Sequence, residues 1–102
     1  MIDDYLENGI IGNQVKLDEG NNLSLTYDGL LYQSGADAVF AQYGYGSRWT
    51  NKNTIRMMRT DNGFRANVPV TKAGTINMVF KDSAENWDNN DGHNYSFEVK
   101  TK

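Results

Sequence analysis

The amino-acid sequence predicts an all-β domain, an antiparallel sandwich of the immunoglobulin type, on three observations. Apolar side chains recur at every second position in short runs, which is the period of a strand with one buried face. Turn-forming clusters separate the runs at intervals of about 8 to 12 residues. The helical crossovers that a parallel sheet requires are missing from the pattern.

Taken in order, Met1 to Gln14 carries two glycines, three acids and no clear alternation, and reads as an arm or short capping element ahead of a β-sandwich domain over 15–102. Val15 and Leu17, then Leu23, Leu25 and Tyr27, then Val39, Ala41 and Tyr43 mark three successive strands by their inward faces. Glu19-Gly20-Asn21-Asn22, Asp28-Gly29 and Ser34-Gly35-Ala36-Asp37 read as the turns around them. Further stripes follow at Ile55 and Met57, at Phe64, Ala66, Val68 and Val70, at Ile76, Met78 and Phe80, and at Tyr95, Phe97 and Val99. Asp61-Asn62-Gly63 joins two of these runs as a tight hairpin, because Asn and Gly tolerate positive φ. Pro69, the only proline, belongs near a strand end, where a missing N–H is tolerable. Lys100-Thr101-Lys102 is a short solvated tail.

Composition narrows the function. The 102 residues suit one domain with one core, and a mean hydropathy of −0.69 confines apolar side chains to inward faces. No run approaches a membrane span. Ten Lys and Arg against thirteen Asp and Glu give a net charge of −3, which disfavours a nucleic-acid partner. The absence of cysteine excludes disulfides, thiol catalysis and Cys-ligated zinc. The start shows no signal peptide, so the chain is expected to be extracellular if it is a module of a secreted enzyme and cytoplasmic if it stands alone.

The stretch from Phe80 to Tyr95 is the most informative. It places Trp87 among Asn86, Asp88, Asn89 and Asn90, short polar residues that suit an irregular loop and offer donors and acceptors in place of apolar packing. An indole there is costly to leave in water unless a flat partner covers it, and a sugar ring has an apolar face fringed by hydroxyls. The bland alternative is a tryptophan plugging the end of the sandwich. Trp49, between Arg48 and Thr50 after Tyr43-Gly44-Tyr45-Gly46, raises the same question, and loops far apart in sequence converge at one end of a sandwich.

Phe80, Asp82, Asn86, Trp87, Asp88, Asn89, Asn90, Asn94 and Tyr95, with Gly44-Tyr45-Gly46-Ser47-Arg48-Trp49-Thr50 upstream and Asp61-Asn62-Gly63-Phe64 and Val68-Pro69-Val70 between, resemble starch-binding modules of carbohydrate-binding families 25 and 53. The resemblance runs from about Gly29 to Val99 and implies non-catalytic binding of starch, glycogen or maltooligosaccharides, tethering an appended or partner glycoside hydrolase to an α-glucan. It implies that Trp49, Trp87 and Tyr43 stack on glucose rings, that Asp88, Asn89 and Asn90 hydrogen-bond vicinal hydroxyls, and that Arg48 or Lys81 donates at the rim. Two indoles set at an angle would suit the curved face of an α-1,4-glucan. The family's usual third ring is a histidine, and the chain departs from it: the matching position is Tyr43, or Ala41 in a shifted alignment, with Tyr45 a weaker substitute. The only histidine, His93, lies in the second loop and reads as a surface residue.

Other chemistries fit less well. Asp82, Glu85, Asp88, Asn89, Asn90 and Asp91 crowd oxygen ligands into one loop but lack the EF-hand spacing, so neither a metal nor another cofactor is expected. Glu85 and Asp88 as a glycosidase pair would need a deep subsite cleft, and one histidine supports no specific Ser-His-Asp set. Two rivals keep the fold: a protein-interaction domain using exposed aromatics, and a module for a different polysaccharide.

Overall fold

A computed structural model of the protein describes residues 4–7, 10–12, 19–90, 92 and 94–101, with side chains from Glu19 onward. Two antiparallel sheets face each other. The first has the order β1 (Asp4–Glu7), β2 (Ile10–Gly12), β3 (Asn22–Tyr27), β7 (Gly63–Pro69), β6 (Met58–Thr60). The second runs β10 (Tyr95–Val99), β8 (Gly74–Asp82), β4 (Val39–Tyr45), β5 (Thr50–Arg56), and the two-residue β9 (Trp87–Asp88) pairs on β8.

The alternating stripes close against one another. Leu23, Leu25 and Tyr27 from β3 and Phe64 and Val68 from β7 meet Ala41 and Tyr43 from β4, Ile76, Met78 and Phe80 from β8, and Tyr95, Phe97 and Val99 from β10 in one buried cluster. Each large apolar side chain so buried contributes about 1.5–3 kcal/mol, which makes the register of each strand costly to slip. Three rings centre the cluster: Tyr27 stacks on Phe80 at 4.2 Å between centroids, and Tyr95 meets Phe80 edge-on at 5.2 Å.

Register fixes what faces outward. On β4 and β8, Ala41 opposes Phe80 and Tyr43 opposes Met78 on the core side, so Phe40 opposing Lys81 and Gln42 opposing Val79 lie on the outer face of the second sheet. The Asp61-Asn62-Gly63 turn joins β6 to β7 as the sequence predicts. Gly63 has φ 138°, and a Cβ there would stand 2.4 Å from the Tyr27 carbonyl oxygen, so close strand approach requires glycine. Pro69 is the last residue of β7.

The structure adds two elements to the sequence reading. Asp4–Glu7 and Ile10–Gly12, within the segment read as an arm, pair as a hairpin that extends the first sheet beside β3. Residues 30–33, between the two segments read as turns, form a single helical turn, α1 (Leu30–Gln33), that buries Leu31. The strand expected around Val15 and Leu17, and the part of the second loop at Asp91 and His93, lie outside the described residues.

Candidate functional site

The two tryptophans flank the outer face of the second sheet. Trp49 ends the turn after β4, where its N–H donates to the Gly46 carbonyl at 3.2 Å. That turn is tied to β8, because Gly46 N–H donates to the Thr75 carbonyl at 2.8 Å and the Asn77 amide to the Gly46 carbonyl at 2.9 Å. Gly44 makes room for it, since a Cβ there would meet the Trp49 backbone at 2.9 Å. The indole then borders a shallow depression of about 340 Å³ that it lines with Gln42, Lys52 and Val79.

Trp87 stands at the other end of the same face. It pairs with Lys81 while Asp88 pairs with Phe80, so strand alternation sends the indole outward and the carboxylate inward. Trp87 is 45% exposed. The Lys81 ammonium lies 5.4 Å from its ring centroid and 6.0 Å from that of Phe40, over which the Arg56 guanidinium also sits at 5.7 Å. A cation over an aromatic face is attracted by the ring quadrupole, which holds these side chains in a row across the sheet. A second depression of about 390 Å³ runs alongside, lined by Phe40, Thr54, Lys81, Asp82, Ser83 and Glu85.

Both loops are held in uncommon backbone conformations. Trp49 and Asn51 in the first, and Glu85, Asn90 and Asn94 in the second, have φ between 54° and 65°. Left-handed backbone at a non-glycine residue costs about 1–3 kcal/mol and persists only where its surroundings over-determine it. In the second loop, Asp82 accepts from the Ala84 and Asn86 amides at 2.9 Å each, and its other oxygen accepts from the Asn86 side chain at 3.0 Å. The Asn86 side chain first, with those backbone amides, holds the Asp82 carboxyl below the usual carboxylate range. Beyond Trp87, Asn89 Oδ1 accepts from Gly92 N–H at 3.0 Å, and the Asn90 amide donates to the Asn94 carbonyl at 3.0 Å.

Two of the site residues that the sequence suggested are corrected. Tyr43 is 3% exposed and part of the core, its hydroxyl accepting from Asn53 Nδ2 at 3.4 Å, so its ring cannot stack on a sugar. Burial raises its pKa. Ala41, the shifted alternative, is fully buried. Asp88 is 6% exposed, and its Oδ2 accepts from the Tyr27 and Tyr95 hydroxyls while Oδ1 accepts from Asn90 N–H at 3.1 Å, so it serves the protein interior rather than a ligand's hydroxyls. Burial, with the Asp88 carboxylate beside it, holds the Tyr27 hydroxyl protonated far above its ordinary range.

Of the remaining candidates, Lys81 lies beside Trp87, and Arg48 and Asn89 are exposed in the first and second loops. The sequence reading missed Phe40, Gln42, Lys52 and Val79, which line the face between the tryptophans. The signal was present, because Phe40 and Gln42 are the outward phase of the stripe whose inward phase is Val39, Ala41 and Tyr43.

Neither the curated proteins nor the solved structures contain a match to this chain. The sequence pattern of one family does match, over residues 23–78, which takes in Trp49, Gln42 and Lys52 and stops short of the Trp87 loop. Because that match spans more than half of the 102 residues and meets an aromatic-flanked outer sheet face, the chain belongs to the starch/carbohydrate-binding modules of family 53.

Proposed function

We propose that the outer face between Trp49 and Trp87 binds α-1,4-linked glucans of the starch and glycogen type without catalysis, and so tethers an appended or partner amylolytic enzyme to its polymer. The observation that carries this reading is the placement of both tryptophans on one sheet face, bridged by Val79, Gln42 and Phe40. The two indoles supply stacking surfaces at the ends. Val79 supplies an apolar floor beside Trp49, and Gln42, Lys52 and Lys81 supply donors for hydroxyls along the strip, with Asn89 and Arg48 at its margins.

The spacing supports an oligosaccharide over a monosaccharide. Trp49 rests against Gly44 at the turn between β4 and β5, and Trp87 opposes Lys81 on the other side of β8, so the two rings are separated by the width of β4 and β8 as well as along them. The strip is a shallow open surface rather than a cleft enclosing a scissile bond, which suits attachment more than hydrolysis. A single such module binds weakly, with Kd on the order of micromolar to millimolar, because a wet surface gains little beyond stacked rings and must order a flexible chain. Titration with maltoheptaose, followed by tryptophan fluorescence and by retardation in starch-containing native gels, tests the reading. Saturable binding with altered tryptophan emission supports it, and absence of both at millimolar ligand rejects it.

A further inference from the structure

Trp87 and Asp88 make up a two-residue strand, too short to fix itself through its own backbone bonds. Trp87 is nearly half exposed, so its orientation has to be set from behind. Directly behind it is a buried carboxylate. We propose that Asp88, held by Tyr27 and Tyr95, is the positioning residue that fixes Trp87 on the outer face.

The argument rests on how many separate parts of the chain converge on one side chain. Tyr27 comes from β3 in the first sheet and Tyr95 from β10 in the second, and both hydroxyls donate to Asp88 Oδ2. Asn90 N–H closes the loop onto Oδ1 at 3.1 Å. Tyr27 in turn accepts from Leu31 N–H at 3.0 Å, which adds the helical turn to the same network. The rings carrying the two hydroxyls pack on Phe80, the residue opposite Asp88 on β8, so the donors cannot drift.

A carboxylate is a costly choice for a core position where an apolar side chain would pack without desolvation loss. What it adds is direction. An apolar side chain opposite Phe80 could slide or rotate within its pocket, whereas an acceptor with three donors at fixed positions holds one orientation of its own backbone and of the neighbouring residue. Because successive side chains of a strand point to opposite faces, fixing Asp88 inward fixes Trp87 outward. The functional meaning of this anchor rests on the glucan reading, but the anchoring itself can be measured without a ligand.

The test uses Asp88→Asn, which turns one acceptor oxygen into a donor facing the tyrosines, and Tyr95→Phe, which removes one hydroxyl and keeps the ring. In a Trp49→Phe background only Trp87 emits, and acrylamide quenching and fluorescence anisotropy report its freedom. Both substitutions should raise quenching and lower anisotropy, and with Trp49 restored should weaken maltoheptaose binding about fivefold or more, the scale of one lost hydrogen bond. Val99→Ala, a core truncation away from the network, should lower the melting temperature and leave Trp87 quenching unchanged. Unchanged quenching and anisotropy in folded Tyr95→Phe overturns the proposal, and Tyr95→Phe decides alone if Asp88→Asn does not fold. Altered quenching in a protein whose wild type ignores maltoheptaose upholds the anchor and removes the glucan reading.

Discussion

At the scale of single residues, the burial of two side chains separates contact from support. Trp87, 45% exposed beside Lys81, is the larger accessible ring, and Trp87→Ala should cost about 1 to 3 kcal/mol of glucan binding, the size of aromatic stacking on other flat rings, with the fold intact. Isothermal titration of the variant, with circular dichroism as the control, checks this. An unfolded variant, or one that binds as before, would remove Trp87 from the site. Tyr43 shows where residue-level reading of the sequence broke down: the stripe of Val39, Ala41 and Tyr43 points inward, while the family resemblance assigns the same ring to a sugar. One side chain cannot occupy both faces of a strand, and burial decided for the core because an aromatic ring removed from water outweighs an exposed stacking role. Tyr43→Phe should therefore leave maltoheptaose affinity unchanged, whereas Tyr43→Ala should destabilise the fold by about 3–5 kcal/mol in urea titrations.

At the scale of elements, the polar residues around Trp87 build the loop that carries it. The sequence made that segment legible as a loop, because Asn, Asp and Gly accept irregular backbone, but not the direction of each amide. Asn and Asp present the same polar atoms whether they meet a sugar or the chain itself, and here the Asp82 and Asp88 carboxylates, Asn89 Oδ1 and Asn90 Nδ2 meet the chain. Asp82 gives the loop a pH dependence of definite sign. Its pKa is lower in the folded protein than the ordinary 3.8, so its contribution is fully present above that value and is lost as pH falls through the lowered one. Glucan affinity should accordingly stay flat from about pH 5.5 to 8, in which range ordinary carboxylates remain ionised and a tyrosine with a raised pKa remains neutral. It should fall in acid only below the ordinary carboxylate range. Asp82→Asn should weaken binding at neutral pH and blunt that acid transition, as followed by Trp87 emission against pH. A wild-type transition centred well above pH 4 would contradict this.

At the scale of the whole molecule, the sandwich was legible because its information is carried by period-two burial, which side chains record directly. Leu23, Leu25 and Tyr27, Phe64 and Val68, and Ile76, Met78 and Phe80 all lie where alternation places them. The hairpin of β1 and β2 was not legible, since it joins the sheet through backbone pairing in a segment without alternation. A four-residue helix such as α1 is too short to show a period at all. The proposed binding face was half legible, with its tryptophans announced by their surroundings and its floor hidden in the outward phase of β4 and β8. Lys52, Lys81 and Arg56 lie on that face although the chain carries a net charge of −3. Because a neutral glucan releases no counterions, maltoheptaose affinity should be nearly independent of salt up to physiological ionic strength. A steep loss with added salt, in titrations at stepped sodium chloride, would mean that the ligand is anionic.

The attachment of both tryptophan loops to β8 turns that strand into a ruler. One loop is tied at Thr75 and Asn77 and the other begins at Lys81 and Asp82, so both indoles are referenced to a single strand and cannot flex as two independent arms would. On the proposed reading, ligand choice becomes a matter of pitch, because a glucan would have to bring its successive ring faces round to two fixed marks. A two-residue insertion between Asn77 and Lys81, matched by two residues between Phe40 and Gly44 on β4, would keep each side chain on its face and move the marks apart by about 7 Å along the strands, so that the proposed glucan site would favour longer chains. A one-residue insertion would turn one end of the ruler into the core.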